Sequence, residues 1–105
     1  MIIVLSAFPD RKSADKAAKT LVEGRLAACA SIIRLESSVY RWEGRVQRHP
    51  EFLLIIKTAG RAYPAVEKQI KAVHPHRVPE IVAMDVKRGS AGYLEWLESC
   101  ISKKP

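Results

Sequence analysis

The chain has 105 residues, of which 48% are hydrophobic, and 18 Lys and Arg against 11 Asp and Glu give it a net charge of +7. That length supports one domain and leaves too little chain for two independent cores, and the apolar content excludes a disordered chain. No uninterrupted apolar run, Phe52–Ile56 being among the longest, approaches the ~20 residues of a membrane span.

Met1 to Phe8 reads as the first strand. Its run Ile2-Ile3-Val4-Leu5 does not alternate, so both faces are expected to be covered, as in a central strand. No basic residue precedes it and it stops at Ser6, which fits a strand better than a signal peptide. A cytoplasmic protein is expected, with Cys29 and Cys100 as free thiols in a reducing compartment. Ser13 is the expected N-cap of the first helix. Ala14, Ala17, Ala18, Leu21 and Val22 make its buried stripe, and Gly24 takes the left-handed position at its end.

Ala28 to Tyr40 and Arg45 to Thr58 read as a long β-hairpin, turned at Arg41-Trp42-Glu43-Gly44 with Gly44 at positive φ. Pro50 has no donor, so its part of the strand lies at an edge or carries a bulge. A second helix opens at Tyr63-Pro64, buries Val66, Ile70 and Val73, and is stopped by His74-Pro75. Pro79 to Val86 reads as the fourth strand. Ser90 then caps a third helix with Leu94, Leu97 and Ile101 on one side and Tyr93, Trp96 and Cys100 on the next. So wide an apolar arc predicts contact with another subunit.

The order β-α-β-β-α-β-α predicts an α+β ferredoxin-like sandwich, an antiparallel sheet with helices on one face. The hairpin strands exceed the ~5–6 residues usual for a strand. Overhanging strands carry unpaired backbone groups that a partner chain can satisfy, so a homo-oligomer is expected. Tyr40 and Trp42, beside the turn, are expected at that interface together with Trp96.

Three groups of residues bear on chemistry. His74 and His76, in His74-Pro75-His76-Arg77-Val78-Pro79-Glu80, carry imidazoles, the commonest metal ligands near neutral pH. Cys29 offers a thiolate, and thiolate with imidazole suits copper or zinc. Against that, and favoured residue by residue, stands a structural reading: His74 as the end of the second helix, His76 as a solvated loop residue and Cys29 as a small buried hydrophobe. Lys57, Glu80 and Asp85 are polar residues beside or inside apolar strands, and as a group can line a cleft for an anionic or metal-bound ligand. No phosphate-binding glycine loop, Ser-His-Asp arrangement or metalloprotease motif is present, so no enzyme is expected. The basic residues are scattered from Arg11 to Lys104, with no run of five like charges, no RNP-like strand and no zinc-finger spacing. Neither nucleic acid nor membrane is therefore expected as a partner.

Several segments, in order, carry a resemblance: Phe8-Pro9-Asp10, Glu23-Gly24-Arg25-Leu26-Ala27-Ala28-Cys29-Ala30, Ser38-Val39-Tyr40-Arg41-Trp42-Glu43-Gly44, Ile56-Lys57-Thr58, His74 to Ile81, and Tyr93-Leu94-Glu95-Trp96-Leu97. Over nearly its whole length, 1–105, the chain resembles the CutA divalent-cation tolerance proteins. The resemblance implies a cytoplasmic homotrimer, similar in assembly to the PII signalling proteins, that acts in tolerance of divalent metal ions, chiefly copper, without an enzyme activity and with no required cofactor. It implies Cys29 and His74 as metal ligands, joined here by His76 where the family usually has Tyr, and it maps the family's cleft lysine and glutamate onto Lys57 and Glu80. The chain also departs at Ser6-Ala7, where one hydroxyl of a threonine pair is missing, and at Ser31, where Asn is usual. An alternative implication is a trimeric signalling or small-ligand module whose clefts lie between subunits.

Overall fold

The computed structural model describes residues 1–103. Strand β1 (Ile2–Phe8) is followed by α1 (Arg11–Glu23), β2 (Cys29–Trp42), β3 (Arg45–Thr58), a 3-10 turn (Gly60–Ala62), α2 (Tyr63–Val73), β4 (Val82–Asp85) and α3 (Ala91–Cys100). The sheet is antiparallel in the order β2-β3-β1-β4, the ferredoxin-like arrangement expected from the order of elements.

Local details differ from the sequence reading at four points, the first being Val22, which is 41% exposed and lies at the edge of the buried stripe of α1 instead of inside it. The Asp10 carboxylate, not Ser13, caps α1 by accepting from the Ser13 N–H at 2.7 Å, because the helix begins one turn earlier, at Arg11. Gly24 has φ −79°, and the left-handed residue is Arg25 at φ 58°. Arg25 is held there by its own reach into α3: its guanidinium donates to the Ser99 carbonyl at 2.8 Å, and its carbonyl accepts from the Ser102 N–H at 2.9 Å. Strand β4 is shorter than expected, Val82–Asp85, since its pairing with β1 runs only from Asp85 opposite Ile2 to Val82 opposite Leu5, and Pro79 has no ladder donor to offer.

Pairing fixes which residues share a face, because directly paired residues point the same way and alternate along each strand. On the helix-covered face Val4, Phe8, Leu54 and Ile56 are fully buried against Ala14, Ala17, Leu21, Val66 and Ile70. Three polar residues are buried with that core, Ser6, Thr58 and His74. The Thr58 hydroxyl donates to the Leu26 carbonyl at 2.6 Å, and the buried Ser6 hydroxyl has no hydrogen-bond partner among the described residues. Helix α3 drops Leu97 and, just beyond its end, Ile101 into the core, while Tyr93 and Trp96 stay outside.

The opposite sheet face has no helix on it. Ile3, Leu5, Ile33, Leu53, Ile55, Val82 and Met84 share it, and Ile33 and Met84 are about half exposed, at 46% and 50%. The contiguous apolar lining of this face is what a subunit interface requires.

Pairing of β3 with β1 ends at Phe8 opposite Phe52, whereas β3 stays paired with β2 out to Arg45 opposite Trp42. Beyond Phe52 the hairpin is therefore a two-stranded ribbon, in a molecule 45 Å long. Its turn places Glu43 at φ 50° and Gly44 at φ 78°, the two left-handed residues of a tight hairpin. The register shifts between Leu35 and Ser38, opposite Pro50. Pro50 thus lies both at an edge and beside a bulge, as its missing donor predicts.

Candidate functional site

The loop from His74 to Glu80 crosses the end of β1 and closes one side of a cleft under the hairpin ribbon. The loop is held by the His74 ring. Nε2–H donates to the Ala7 carbonyl at 2.7 Å, Nδ1 accepts from the His76 N–H at 3.0 Å, and the ring packs against Phe8 at 4.3 Å between centroids. This is the neutral imidazole with both nitrogens engaged. Burial pushes its pKa below the ordinary value, and the nearby His76 adds to that; the Ala7 hydrogen bond and the charges of Glu51 and Asp10 oppose it.

The cleft encloses about 710 Å³. Ser38, Tyr40 and Trp42 of β2 and Gln47, His49 and Glu51 of β3 line one wall, and Pro75 to Val78 with Glu80 line the other. Alternation explains the first wall: His49 pairs with Ser38, Gln47 with Tyr40 and Arg45 with Trp42, so all these residues share the helix-free face. Tyr40 and His49 meet at 6.1 Å between ring centroids. Glu80 has its pKa raised, first because the cleft wall removes water from its carboxyl and second because Glu51 carries the same charge nearby.

The structure brings together only part of the expected set. His76 lines this cleft with Glu80, Tyr40 and Trp42. Cys29 pairs with Lys57, which pairs with Ile3 at the far end of β1. Ile3 and Ala7 are four residues apart, about 13 Å along the strand, so Cys29 and His74 stand at opposite ends of the sheet within one chain. The Cys29 thiol lies 3.7 Å from the Ser31 hydroxyl. Among the described residues no group of three or more His, Cys, Asp and Glu side chains is arranged to hold a metal ion.

Lys57 and Glu80 are likewise separated along β1 rather than sharing one cleft. Asp85 pairs with Ile2, which puts it on the opposite face from Lys57. Within one chain, then, register separates these residues by face and by end of the sheet. Trp96 sits on α3 beside Tyr93, at 5.5 Å between ring centroids, away from the hairpin turn that carries Trp42.

His49 and Glu51 belong to the cleft and were not singled out from sequence. Strict alternation from Lys57 back along β3 would have found both, since odd-numbered residues of that strand share one face.

Comparison with known proteins bears on this arrangement. The family described as CutA1 divalent ion tolerance protein matches residues 2–100. The divalent-cation tolerance protein CutA of Thermus thermophilus is 45% identical over 95 residues, 90% of this chain and 92% of that protein. The chloroplastic protein CutA 1 of Oryza sativa is 40% identical over 93% of this chain, which spans 55% of the rice protein. The crystal structure of CutA1 from Pyrococcus horikoshii superposes with a TM-score of 0.93 at 38% identity, covering 98% of this chain and 100% of that one.

Proposed function

The chain belongs to the CutA1 divalent ion tolerance family, which ties it to tolerance of divalent metal ions, and from that premise we propose that it acts as a cytoplasmic homotrimer that binds such ions, copper among them, without catalysing a reaction. The family is described by tolerance and not by a chemical transformation.

The helix-free sheet face is the observation that carries this reading. Over the body of the sheet it is apolar at Ile3, Leu5, Ile33, Leu53, Ile55, Val82 and Met84, over the hairpin it turns polar at Ser38, Gln47, His49 and Glu51, and the Cys29 thiol lies near one end and the imidazole of His76 near the other. A closed ring of identical subunits buries such a face without open-ended growth, with Tyr40, Trp42 and Trp96 contributing to the contacts. Packing three such faces together supplies ligands from more than one subunit, which a single chain does not gather. Copper is the ion best suited to thiolate and imidazole. His74, with both ring nitrogens engaged, positions the loop that carries His76 instead of coordinating.

Equilibrium dialysis against Cu(II), Cu(I) and Zn(II) tests the reading, with Cys29→Ser and His76→Ala beside the parent. The expected result is weaker copper binding in both variants and little change for a hard ion such as magnesium. Copper binding identical in parent and variants would remove these residues from the site.

The cleft supports a second reading, a PII-like module that takes a small ligand between subunits. Its volume suits a small molecule, and Glu80, Tyr40 and Trp42 line it, with Lys57 and Asp85 available only from another subunit. A chain that binds no copper yet protects the cleft residues from hydrogen exchange when a metabolite mixture is added favours this reading.

A further inference from the structure

The arginines that look scattered along the sequence gather on one side of the hairpin. Arg34 pairs with Phe52, and the Arg11 guanidinium lies 5.0 Å above the Phe52 ring. Further out, alternation along β3 puts Arg48 and Val46 on the same face as Phe52. Register then brings Val39 opposite Arg48 and Arg41 opposite Val46. This is the helix-side face of the ribbon, the reverse of the cleft wall.

Arg11, Arg34, Arg41 and Arg48 are all exposed, as are Val39 at 53% and Val46 at 64%. Arg48 donates to the Ser37 hydroxyl at 3.3 Å. The ion pairs among the described residues, Arg61 with Glu98 and Lys71 with Glu67, involve none of these arginines. Glu51 points to the opposite face, leaving Glu36 at the bulge and Glu43 in the turn as the acidic residues of the ribbon that can offset them.

We propose that this face of the hairpin binds the phosphate backbone of nucleic acid without regard to base sequence. Guanidinium forks match phosphate oxygens bidentately. From Phe52 to Val46 the ribbon runs about 20 Å, roughly six phosphates at 3.4 Å per nucleotide of one strand. A two-stranded ribbon also has the width that a major groove admits. The aromatic residues of the ribbon, Tyr40 and Trp42, face the other way, so the basic face lacks the interfacial anchors that hold a hairpin to a bilayer. The proposal is independent of metal binding, which lies on the opposite sheet face, and it revises the expectation drawn from the scatter of charge along the sequence.

Fluorescence anisotropy with a labelled duplex of about 20 base pairs, titrated between about 50 and 200 mM salt, tests it. The ribbon variant is Arg34→Gln/Arg41→Gln/Arg48→Gln. The control removes equal charge from exposed helical positions, Lys16→Gln/Lys19→Gln/Lys68→Gln. Three lost phosphate contacts lower the slope of log K against log salt by about 2.7 for duplex DNA, so the ribbon variant is expected to lose that much and the control to keep the parent slope. Far-UV circular dichroism and melting verify that both variants fold.

An equal loss in the control would reduce the effect to net charge and overturn the proposal, as would absence of binding by the parent at about 50 mM salt. Phosphatidylserine–phosphatidylcholine vesicles and polyglutamate serve as the competing polyanions. Capture of either through the same arginines, under conditions where the duplex stays free, would overturn the assignment to nucleic acid.

Discussion

Replacing His74 by Ala removes a ring that is 92% buried relative to full exposure, since 8% of its surface remains accessible. Two hydrogen bonds go with it, to the Ala7 carbonyl and from the His76 N–H, and the contact with Phe8 is lost. Each bond is worth about 1 kcal/mol net, and the Ala7 carbonyl, left without this partner at a buried residue, adds a desolvation cost of similar size. With the cavity left by the ring, the expected destabilisation is about 3 to 5 kcal/mol. The pH dependence has a definite sign. The folded-state pKa of His74 is depressed below 6.5, so the unfolded chain binds more protons just below that pH. Stability from this group is fully present above pH 6.5 and is lost as pH falls through the depressed folded value. Urea unfolding at fixed protein concentration, repeated across the acidic range, measures both effects. In His74→Phe, which keeps the packing, the part of the pH slope due to this residue should vanish. A loss under about 1 kcal/mol in His74→Ala, or an unchanged slope in His74→Phe, would refute the view that this ring locks the cleft loop.

Two core hydroxyls should behave oppositely. Ser6→Ala removes a buried group with no partner among the described residues and is expected to be neutral or stabilising by up to about 1 kcal/mol in urea unfolding, whereas Thr58→Val leaves the Leu26 carbonyl without its donor and should cost about 1 to 3 kcal/mol. Gly44→Ala forces a side chain into φ 78° and should destabilise by about 1 kcal/mol, read from the same curves. Trp42→Ala should loosen assembly more than folding, because 49% of its surface is exposed in the single chain; sedimentation velocity on dilution should show dissociation at higher concentration than for the parent, and an unchanged association constant would remove Trp42 from the interface.

The periodicity of Ala14, Ala17, Ala18 and Leu21 predicts α1, and the Phe52–Ile56 run with Gly44 predicts the long hairpin, because burial and turn geometry leave local signatures. The Asp10 cap was missed since Asp10 and Ser13 are both good caps and only the helix start separates them. The left-handed position fell on Arg25 and not Gly24 because contacts with Ser99 and Ser102, far along the chain, hold it there. Of the site residues, His76 and Glu80 fell in one cleft since they are neighbours in one loop. Cys29 and Lys57 follow from the family resemblance and Asp85 from its residue type, and only strand register shows that within one chain they lie at the other end of the sheet or on its other face. The arginine ribbon was invisible for the same reason: Arg34, Arg41 and Arg48 stand far apart on two strands and meet only once those strands pair.

Native mass spectrometry of the parent chain with added copper measures assembly and metal loading in a single spectrum, and so tests most directly that the metal site spans subunits. The account predicts a particle of three 11.8 kDa chains carrying bound copper, with copper absent from any dissociated single chain and lost from trimeric Cys29→Ser. A single chain that binds copper as well as the assembly does, or a trimer that binds none, would contradict it.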